Sequence, residues 1–158
     1  MPWFVLITQP NSEKKVESRL QKMGIKAYCP TRTEYRQWSD RIKKVRIPLL
    51  PSMILVNIEA AERSIVFNAP GVLRYLFWMG KPAIVHKHEV EALEEISEKG
   101  REILAVEKIE EGDEIKINNF GTEVKEGVVQ KVSGNQCWIA LKNLGFIIKL
   151  NTKVSNEK

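Results

Sequence analysis

The segment WFVLITQPNSEKKVESRLQKMG, residues 3–24, places a strand directly before a helix. Its first six residues are apolar and rich in β-formers, which predicts a buried strand. Pro10 ends that strand, and Ser12 can cap a helix whose apolar residues recur every three to four positions until Gly24. A strand followed at once by a helix indicates a mixed α/β domain.

The chain after this helix continues the mixed pattern. Residues 31–47, TRTEYRQWSDRIKKVRI, alternate weakly and turn around Ser39-Asp40, which predicts a long β-hairpin. The apolar run SMILVNI, residues 52–58, predicts a central strand buried on both faces. The predicted order β-α-β-β-α-β-β-α is completed by a short helix over 60–67, strands over 72–78 and 83–85, and a helix over 88–97. For residues 1–98 we therefore expect an α+β sandwich, with helices packed on one mainly antiparallel sheet.

The pattern changes after residue 98. Over residues 99–108 the apolar periodicity lapses and charges dominate, which is typical of a linker. Residues 109–158 contain four or five short segments of alternating polarity, separated by turn residues such as Ser133-Gly134-Asn135. This spacing predicts a small SH3-like β-barrel as a second domain.

The composition excludes several classes of protein. Of 158 residues 43% are hydrophobic, which is enough for a packed core, yet no apolar run approaches the roughly 20 residues of a transmembrane helix. The N-terminal residues do not resemble a signal peptide. Cys29 and Cys137 lie far apart in the sequence, so we expect reduced thiols in a cytoplasmic protein without membrane contact.

Catalytic and metal-binding motifs are not legible in the sequence. The chain has two His and two Cys, so a structural zinc site, which usually takes four such ligands, is not expected. No Ser/His/Asp or Cys/His arrangement, phosphate-binding Gly-rich loop or paired-carboxylate motif is recognisable. We therefore expect no enzyme activity, no catalytic residue, no metal and no cofactor.

The positive charge is concentrated in the first third of the chain. Residues 1–50 hold eleven Lys/Arg and four Asp/Glu, whereas the net charge of the whole chain is +5. A localised basic surface favours a polyanionic partner. In the hairpin the cations are interleaved with Tyr35 and Trp38, a combination that suits phosphates and unpaired bases together. The alternative is a solvated hairpin whose aromatic residues cover the sheet.

The candidate nucleic-acid contacts come from the hairpin and from the first helix. The set is Lys14, Lys15, Arg19, Arg36, Gln37, Trp38, Arg41, Lys43 and Lys44. Within it, Lys43 and Lys44 are expected to neutralise phosphates. Arg36, Gln37 and Trp38 are expected to contact bases, by hydrogen bonding or stacking.

Six short motifs, in their order along the chain, resemble those of the NusG transcription-elongation factors. They are Trp3-Phe4-Val5, Lys14-Lys15-Val16, Tyr28-Cys29-Pro30, Pro48-Leu49-Leu50-Pro51, Pro70-Gly71-Val72 and Gly80-Lys81-Pro82-Ala83. The segment Arg36–Arg41 resembles the specialised UpxY type, relatives of RfaH that serve long surface-polysaccharide operons. The C-terminal half is similar to the KOW domain of the family, with Gly112-Asp113 and Gly127-Val128 at the ends of that motif.

The resemblance implies a transcription elongation and antitermination factor, a monomer that bridges the RNA polymerase cleft and suppresses pausing. In this family an apolar depression of the N-terminal domain docks on the clamp helices of the polymerase, and a nearby turn contacts the opposite side of the cleft. The residues at these positions are Met53, Leu55, Trp78 and Ile84 for the clamp helices, and Asn68 and Pro70 for the turn. The alternative for the four apolar residues is that they belong to the core.

The resemblance also implies partners for the hairpin and for the C-terminal domain. The hairpin would face the non-template DNA strand of the transcription bubble, and the C-terminal domain would contact Rho or the ribosome. Resemblance to RfaH leaves open a helical form of this domain, although the alternation over residues 146–154 favours β-structure. The alternative function is a ribosome-associated or RNA-binding KOW protein, for which the balanced charge of residues 96–158 is unfavourable.

Overall fold

The computed structural model describes residues 1–78, 80–99, 101–108, 123–125, 128–141 and 144–154. The chain divides into two compact units, residues 1–84 and 85–158. The first unit contains strands β1 (Trp3–Thr8), β2 (Lys26–Tyr28), β3 (Thr31–Gln37), β4 (Ile42–Pro48), β5 (Met53–Asn57), β6 (Val72–Tyr75), β7 (Phe77–Trp78) and β8 (Lys81–Pro82), helix α1 (Glu13–Lys22) and a 3-10 helix (Ala60–Asn68). Strand β9 (Ile84–Val85) spans the boundary between the two units along the chain.

The sheet of the first unit has the order β2-β5-β1-β6, and β9 also pairs with β1. Its neighbours on this path run antiparallel, with Val5 opposite Leu55 and Leu6 opposite Tyr75. Helix α1 and the 3-10 helix contribute to a core on one side of this sheet. That core consists of Phe4, Leu6, Val16, Leu20, Ala27, Cys29, Ile54, Val56, Ile58, Val66, Ala69 and Tyr75. The predicted mixed architecture of this region is thereby confirmed.

Helix α1 ends on a glycine that its backbone requires. Gly24 has a φ of +83°, a conformation that glycine adopts without steric cost. Its N–H donates to the carbonyl of Gln21, and the N–H of Ile25 donates to the carbonyl of Leu20, both at 3.0 Å. This is a Schellman ending. At the other end, Ser12 occupies the predicted cap position but makes no side-chain cap hydrogen bond, so that detail of the prediction was wrong.

The predicted strand over residues 72–78 is divided in two. β6 pairs with β1, whereas β7 pairs with β8 in a separate small ribbon. Leu76 lies between them, where its N–H donates to Val5 and its carbonyl accepts from Ala83, both at 2.8 Å. The chain therefore changes partners at Leu76 without losing backbone hydrogen bonds.

The second unit contains helix α2 (Lys87–Lys99) and strands β10 (Arg101–Lys108), β11 (Glu123–Lys125), β12 (Val128–Ser133), β13 (Gln136–Leu141) and β14 (Phe146–Val154). These strands form an antiparallel sheet in the order β10-β14-β13-β12-β11. β14 is a strand, as its alternation predicted. At the start of α2 the N–H of His86 donates to the fully buried carboxylate of Glu89 at 3.1 Å, one half of a capping box.

The segment predicted as a linker is a strand for most of its length. β10 pairs with β14 from end to end, and Ile103 and Val106 lie opposite the buried residues Leu150 and Ile148. The register shifts on both sides of Ile103, which obscures the alternation that would have identified the strand in the sequence. The predicted strand over residues 113–117 lies outside the described residues.

Two classes of feature are missing from the described part of the chain. Within it, no helix is both long and apolar enough to cross a bilayer. Nor does this part contain a group of three or more His, Cys, Asp and Glu side chains that could hold a metal ion.

Candidate nucleic-acid interface

Strands β3 and β4 form a two-stranded ribbon separate from the main sheet. Thr31 is opposite Pro48 at its base and Gln37 is opposite Ile42 near its tip. The tip is closed by Trp38 and Arg41, since the N–H of Trp38 donates to the carbonyl of Arg41 at 2.7 Å. All side chains from residue 35 to residue 44 are exposed. The hairpin predicted from the sequence is therefore confirmed, and its distal half is accessible from both sides.

The register divides the hairpin side chains between two faces, because successive residues of a strand point to opposite sides. The tryptophan face carries Arg32, Glu34, Arg36 and Lys43, together with Trp38 from the turn. The tyrosine face carries Thr33, Tyr35, Gln37, Ile42, Lys44 and Arg46. The candidate contacts predicted from the sequence are thus split: Arg36, Trp38 and Lys43 lie together, whereas Gln37 and Lys44 lie on the opposite side.

The tryptophan face contains two weak charge contacts. The Nζ of Lys43 lies 5.6 Å from the centroid of the Trp38 ring, a cation–π arrangement. The Nε of Arg36 lies 3.4 Å from Oε1 of Glu34. Trp38 remains 51% exposed, so its ring is accessible despite the neighbouring ammonium group.

The tyrosine face is fixed near its base by Arg46. The guanidinium of Arg46 donates to the hydroxyl oxygens of Thr31 at 2.5 Å and Thr33 at 3.2 Å. The backbone carbonyl of Arg46 accepts from the ammonium group of Lys14 on α1. Lys14 therefore joins the first helix to the hairpin.

Two glutamates of α1 hold the two ends of the hairpin. Oε2 of Glu17 accepts from the N–H of Cys29, two residues before β3, and Oε2 of Glu13 accepts from the N–H of Ser52, in the connection from β4 to β5, both at 2.7 Å. Glu13 is only 5% exposed. We refer to Glu13 and Glu17 as the anchor glutamates. Their spacing of four residues places both on one side of the helix. That spacing was visible in the sequence, but their backbone partners were not.

The other two predicted cations of α1 have a different environment. Lys15 and Arg19 are four residues apart and share a face, whereas Lys14 and Arg19 point in different directions around the helix. Nη1 of Arg19 donates to the carbonyl of Pro70 at 2.6 Å. Arg19 is thereby tied to the turn at Pro70-Gly71, while Lys15 is exposed.

The residues predicted to bind polymerase also separate into two groups. Ile84 is 50% exposed, and Asn68 and Pro70 are exposed as well. Met53 and Leu55 are buried, with exposures of 8% and 0%, and residues on both faces of β5 are buried, since its burial runs without a break from Met53 to Val56. The prediction of an exposed docking surface at these two positions therefore does not match the structure. Trp78 lies on β7, but its side chain is outside the described set.

Three exposed apolar residues of the first unit were not singled out by the sequence analysis. Phe67, Leu73 and Phe77 are each about half exposed. The ring of Phe67 packs edge-on against Tyr75, with centroids 5.8 Å apart. No sequence pattern distinguishes such residues from core residues, because each lies in an apolar stretch whose direction depends on the turns beside it.

The thiol of Cys29, beside the base of the hairpin, is unreactive. Burial, reinforced by the negative charges of Glu17 and Glu13, raises the pKa of the Cys29 thiol to about 12. A thiol with such a pKa carries almost no thiolate at neutral pH and is a poor nucleophile. Cys29 is therefore a core residue next to the anchor glutamates and not a reactive site.

Comparison with known proteins identifies the family. Residues 1–94 match the model of the NusG family, described as transcription termination factor nusG. The chain belongs to the NusG family. The matched residues include α1, the hairpin and the central sheet, and NusG proteins are transcription factors without enzymatic activity. Membership supports a role as a transcription elongation factor that works with the transcription machinery.

Two solved structures are distantly similar to the chain. NusG from Thermotoga maritima, in a study of its domain interaction, is 16% identical over 97% of this chain and 93% of that chain, with a TM-score of 0.47. A chain of the MjSpt4:Spt5 complex is 18% identical over 99% of both chains, with a TM-score of 0.34. Among curated proteins, none matches the chain significantly.

Proposed function

We propose that this NusG-family chain is a specialised elongation and antitermination factor that binds RNA polymerase and the non-template DNA strand. In this proposal it resembles the UpxY type and RfaH and is recruited to particular long operons, such as surface-polysaccharide loci. The observation that carries the proposal is the hairpin, a ribbon with exposed cations and an exposed tryptophan on a NusG-type domain. The family match supports the transcription role, and the segment Arg36–Arg41 supports the specialised type.

The tryptophan face is the side we assign to single-stranded DNA. The exposed contact between Lys43 and Trp38 is worth about 0.5–1 kcal/mol, whereas stacking one base on an aromatic ring is worth about 1–3 kcal/mol. A base can therefore displace the ammonium group from the ring, and Lys43 then neutralises a neighbouring phosphate. Arg36 leaves Glu34 at small cost, since exposed ion pairs contribute about 0–1 kcal/mol. On the tyrosine face the guanidinium of Arg46 is held by the hydroxyl groups of Thr31 and Thr33.

Polymerase binding in this proposal uses the exposed members of the predicted set. These are Ile84, Asn68 and Pro70. We also assign Trp78, on β7, to this contact because of its position in the family motif. We further propose that residues 109–158 form the KOW-type SH3-like barrel and that this domain contacts Rho or the ribosome.

The test uses a paused elongation complex that carries the operon leader of the native cell. We expect Trp38→Ala to weaken binding of the full chain about 5- to 150-fold, which corresponds to the loss of one stacked base. Lys43→Gln should lower the slope of log affinity against log salt by about 0.7, the value for one phosphate contact on a single strand. The matched control is Lys44→Gln, which removes the same charge from the tyrosine face and should leave the slope unchanged.

Two results would contradict the proposal. If Trp38→Ala binds the paused complex as tightly as the wild-type chain, no base stacks on the hairpin. If Lys43→Gln and Lys44→Gln lower the salt dependence equally, the two faces are not distinguished by the DNA. Binding of all variants to the polymerase core enzyme, without nucleic acid, serves as the control for folding and for the polymerase surface.

A further inference from the structure

The tryptophan face of the hairpin carries one acidic side chain beside its cations. Glu34 lies on β3 two residues before Arg36, so both side chains project from the same face. The side chains of Glu34 and Arg36 are 40% and 52% exposed, and Oε1 of Glu34 lies 3.4 Å from Nε of Arg36. Arg36 is opposite Lys43, whose ammonium group lies over the ring of Trp38. Glu34 therefore borders the surface that we assign to single-stranded DNA.

A carboxylate at this position is unfavourable for contacts with the DNA backbone. Like charges repel, and within the Debye length, about 8–10 Å at physiological salt, the repulsion between Glu34 and a phosphate is incompletely screened. The ion pair with Arg36 offsets little of this cost, because both side chains are exposed. The presence of Glu34 on this face is better explained by a contact with a base.

A carboxylate and a guanidinium side by side match the hydrogen-bonding atoms of guanine. An ionised carboxylate only accepts hydrogen bonds, and a guanidinium only donates them. Guanine has two adjacent donors, N1–H and the N2 amino group, and beside them two adjacent acceptors, O6 and N7. Cytosine and adenine each offer one amino group to a carboxylate, and thymine offers only its N3–H. Guanine is thus the base that can engage both oxygens of Glu34 and two nitrogens of Arg36.

We propose that Glu34 and Arg36 together select an unpaired guanine next to the base that stacks on Trp38. This inference rests on the proposed function, because it takes the tryptophan face as the side that contacts single-stranded DNA. Once Arg36 leaves Glu34, its guanidinium donates to O6 and N7, and the carboxylate of Glu34 accepts from N1–H and the N2 amino group. Arg36 and Trp38 are two residues apart, about 7 Å along an extended chain, so neighbouring nucleotides of one strand can occupy the two positions.

The test measures binding of the full chain to fluorescein-labelled thymidine 12-mers of DNA at low salt, by fluorescence anisotropy. Each 12-mer carries one central guanine, adenine or cytosine, and an all-thymidine 12-mer is the reference. We expect the guanine 12-mer to bind about 5- to 150-fold more tightly than the reference, the range for one bidentate contact. Glu34→Gln should remove most of this preference. It should also strengthen binding to every 12-mer, because it removes a negative charge.

Two modified bases test the individual hydrogen bonds. Hypoxanthine lacks the N2 amino group that donates to Glu34, and 7-deazaguanine lacks the N7 acceptor that binds Arg36. In the wild-type chain each base should bind about 2- to 12-fold more weakly than guanine, the range for one hydrogen bond. In Glu34→Gln the difference between guanine and hypoxanthine should largely disappear, whereas the difference between guanine and 7-deazaguanine should remain.

The matched control is Asp40→Asn. Asp40 is exposed in the turn of the hairpin, between the end of β3 and the start of β4. The substitution removes the same charge as Glu34→Gln, so it should also strengthen binding to every 12-mer. It should leave the preference for guanine unchanged, which separates the effect of charge from recognition of the base.

Two outcomes overturn the selection of guanine by Glu34. One is a wild-type chain that binds another 12-mer as tightly as the guanine 12-mer, and the other is a Glu34→Gln variant that keeps the wild-type preference. Trp38→Ala distinguishes these outcomes from failure of the proposed function. If Trp38→Ala weakens binding to every 12-mer, the proposed function stands and only the selection of guanine is wrong. If Trp38→Ala has no effect, or if the wild-type chain binds none of the 12-mers, both proposals are wrong.

Discussion

Replacing the buried anchor glutamate, Glu13→Ala, should destabilise the first unit and loosen one end of the hairpin. The carboxylate of Glu13 accepts from the N–H of Ser52 at 2.7 Å and is 5% exposed. A hydrogen bond to a charged group contributes about 1.5–3 kcal/mol, and the substitution also leaves the N–H of Ser52 without this acceptor. Ser52 has a φ of +60°, so the bond also holds a backbone conformation that non-glycine residues rarely adopt.

We therefore expect the free energy of unfolding to fall by about 2–3 kcal/mol in Glu13→Ala. Glu13→Gln, which keeps an acceptor oxygen but not the charge, should lose about half of that. With a urea m-value of about 1–3 kcal/mol/M, the midpoint of unfolding moves down by about 1 M in the alanine variant. Circular dichroism during urea titration measures the shift, and amide hydrogen exchange at Ser52 reports on the hairpin end directly.

The matched control is Glu94→Ala, at an exposed position of α2. A surface substitution of this kind usually changes stability by less than about 0.5 kcal/mol. If Glu13→Ala and Glu94→Ala shift the midpoint equally, or if the Ser52 amide keeps its protection in Glu13→Ala, the anchoring role is refuted.

Two further predictions concern the packing around α1. Gly71 has a φ of +99°, and a Cβ there would lie 2.7 Å from Cγ2 of Val16, so Gly71→Ala should lower the free energy of unfolding by more than about 1 kcal/mol. A Cβ added at Gly24 would meet no atom within 4 Å, so Gly24→Ala should lower the free energy of unfolding by less than Gly71→Ala does. Urea titration of both variants measures the two losses. Equal losses would exclude the contact with Val16. The fold raises the pKa of Cys29 from 9.0 to about 12, so the stabilisation from its neutral thiol is complete below pH 9 and decreases as the pH rises toward 12. Iodoacetamide at pH 9 should modify Cys29 only when the chain unfolds, as measured by mass spectrometry, and equal rates in native and urea-unfolded protein would contradict the burial argument.

The sequence predicted the elements whose signals are local. The strand Trp3–Thr8 and the hairpin around Ser39-Asp40 were identified because alternation, apolar runs and turn residues act over a few positions. β10 was missed because two register shifts break its alternation. The residue types of the hairpin predicted a contact with nucleic acid, but the division of its side chains between two faces depends on the strand register. A shift of that register by one residue would move every side chain of a strand to the opposite face.

Several features of the candidate site depend on residues that are distant in the sequence. Met53 and Leu55 were placed on a docking surface by their position in a motif, yet the same run, SMILVNI, predicted a strand covered on both sides. The structure follows the second prediction, because consecutive residues of β5, which point to opposite faces of the sheet, are all buried from Met53 to Val56. The anchor glutamates could not be predicted, since their partners are backbone amides 12 and 39 residues away.

The position of the anchor glutamates has a consequence for how this chain can diversify. Both lie on α1, and their hydrogen-bond partners, Cys29 and Ser52, lie just outside the ribbon formed by residues 31–48. The exposed side chains between residues 35 and 44 therefore contribute little to the folding of the domain. Mutations there can alter recognition while the scaffold stays constant. A ribbon transplanted from one paralog to another should keep its shape and carry with it the recognition that we propose for the hairpin.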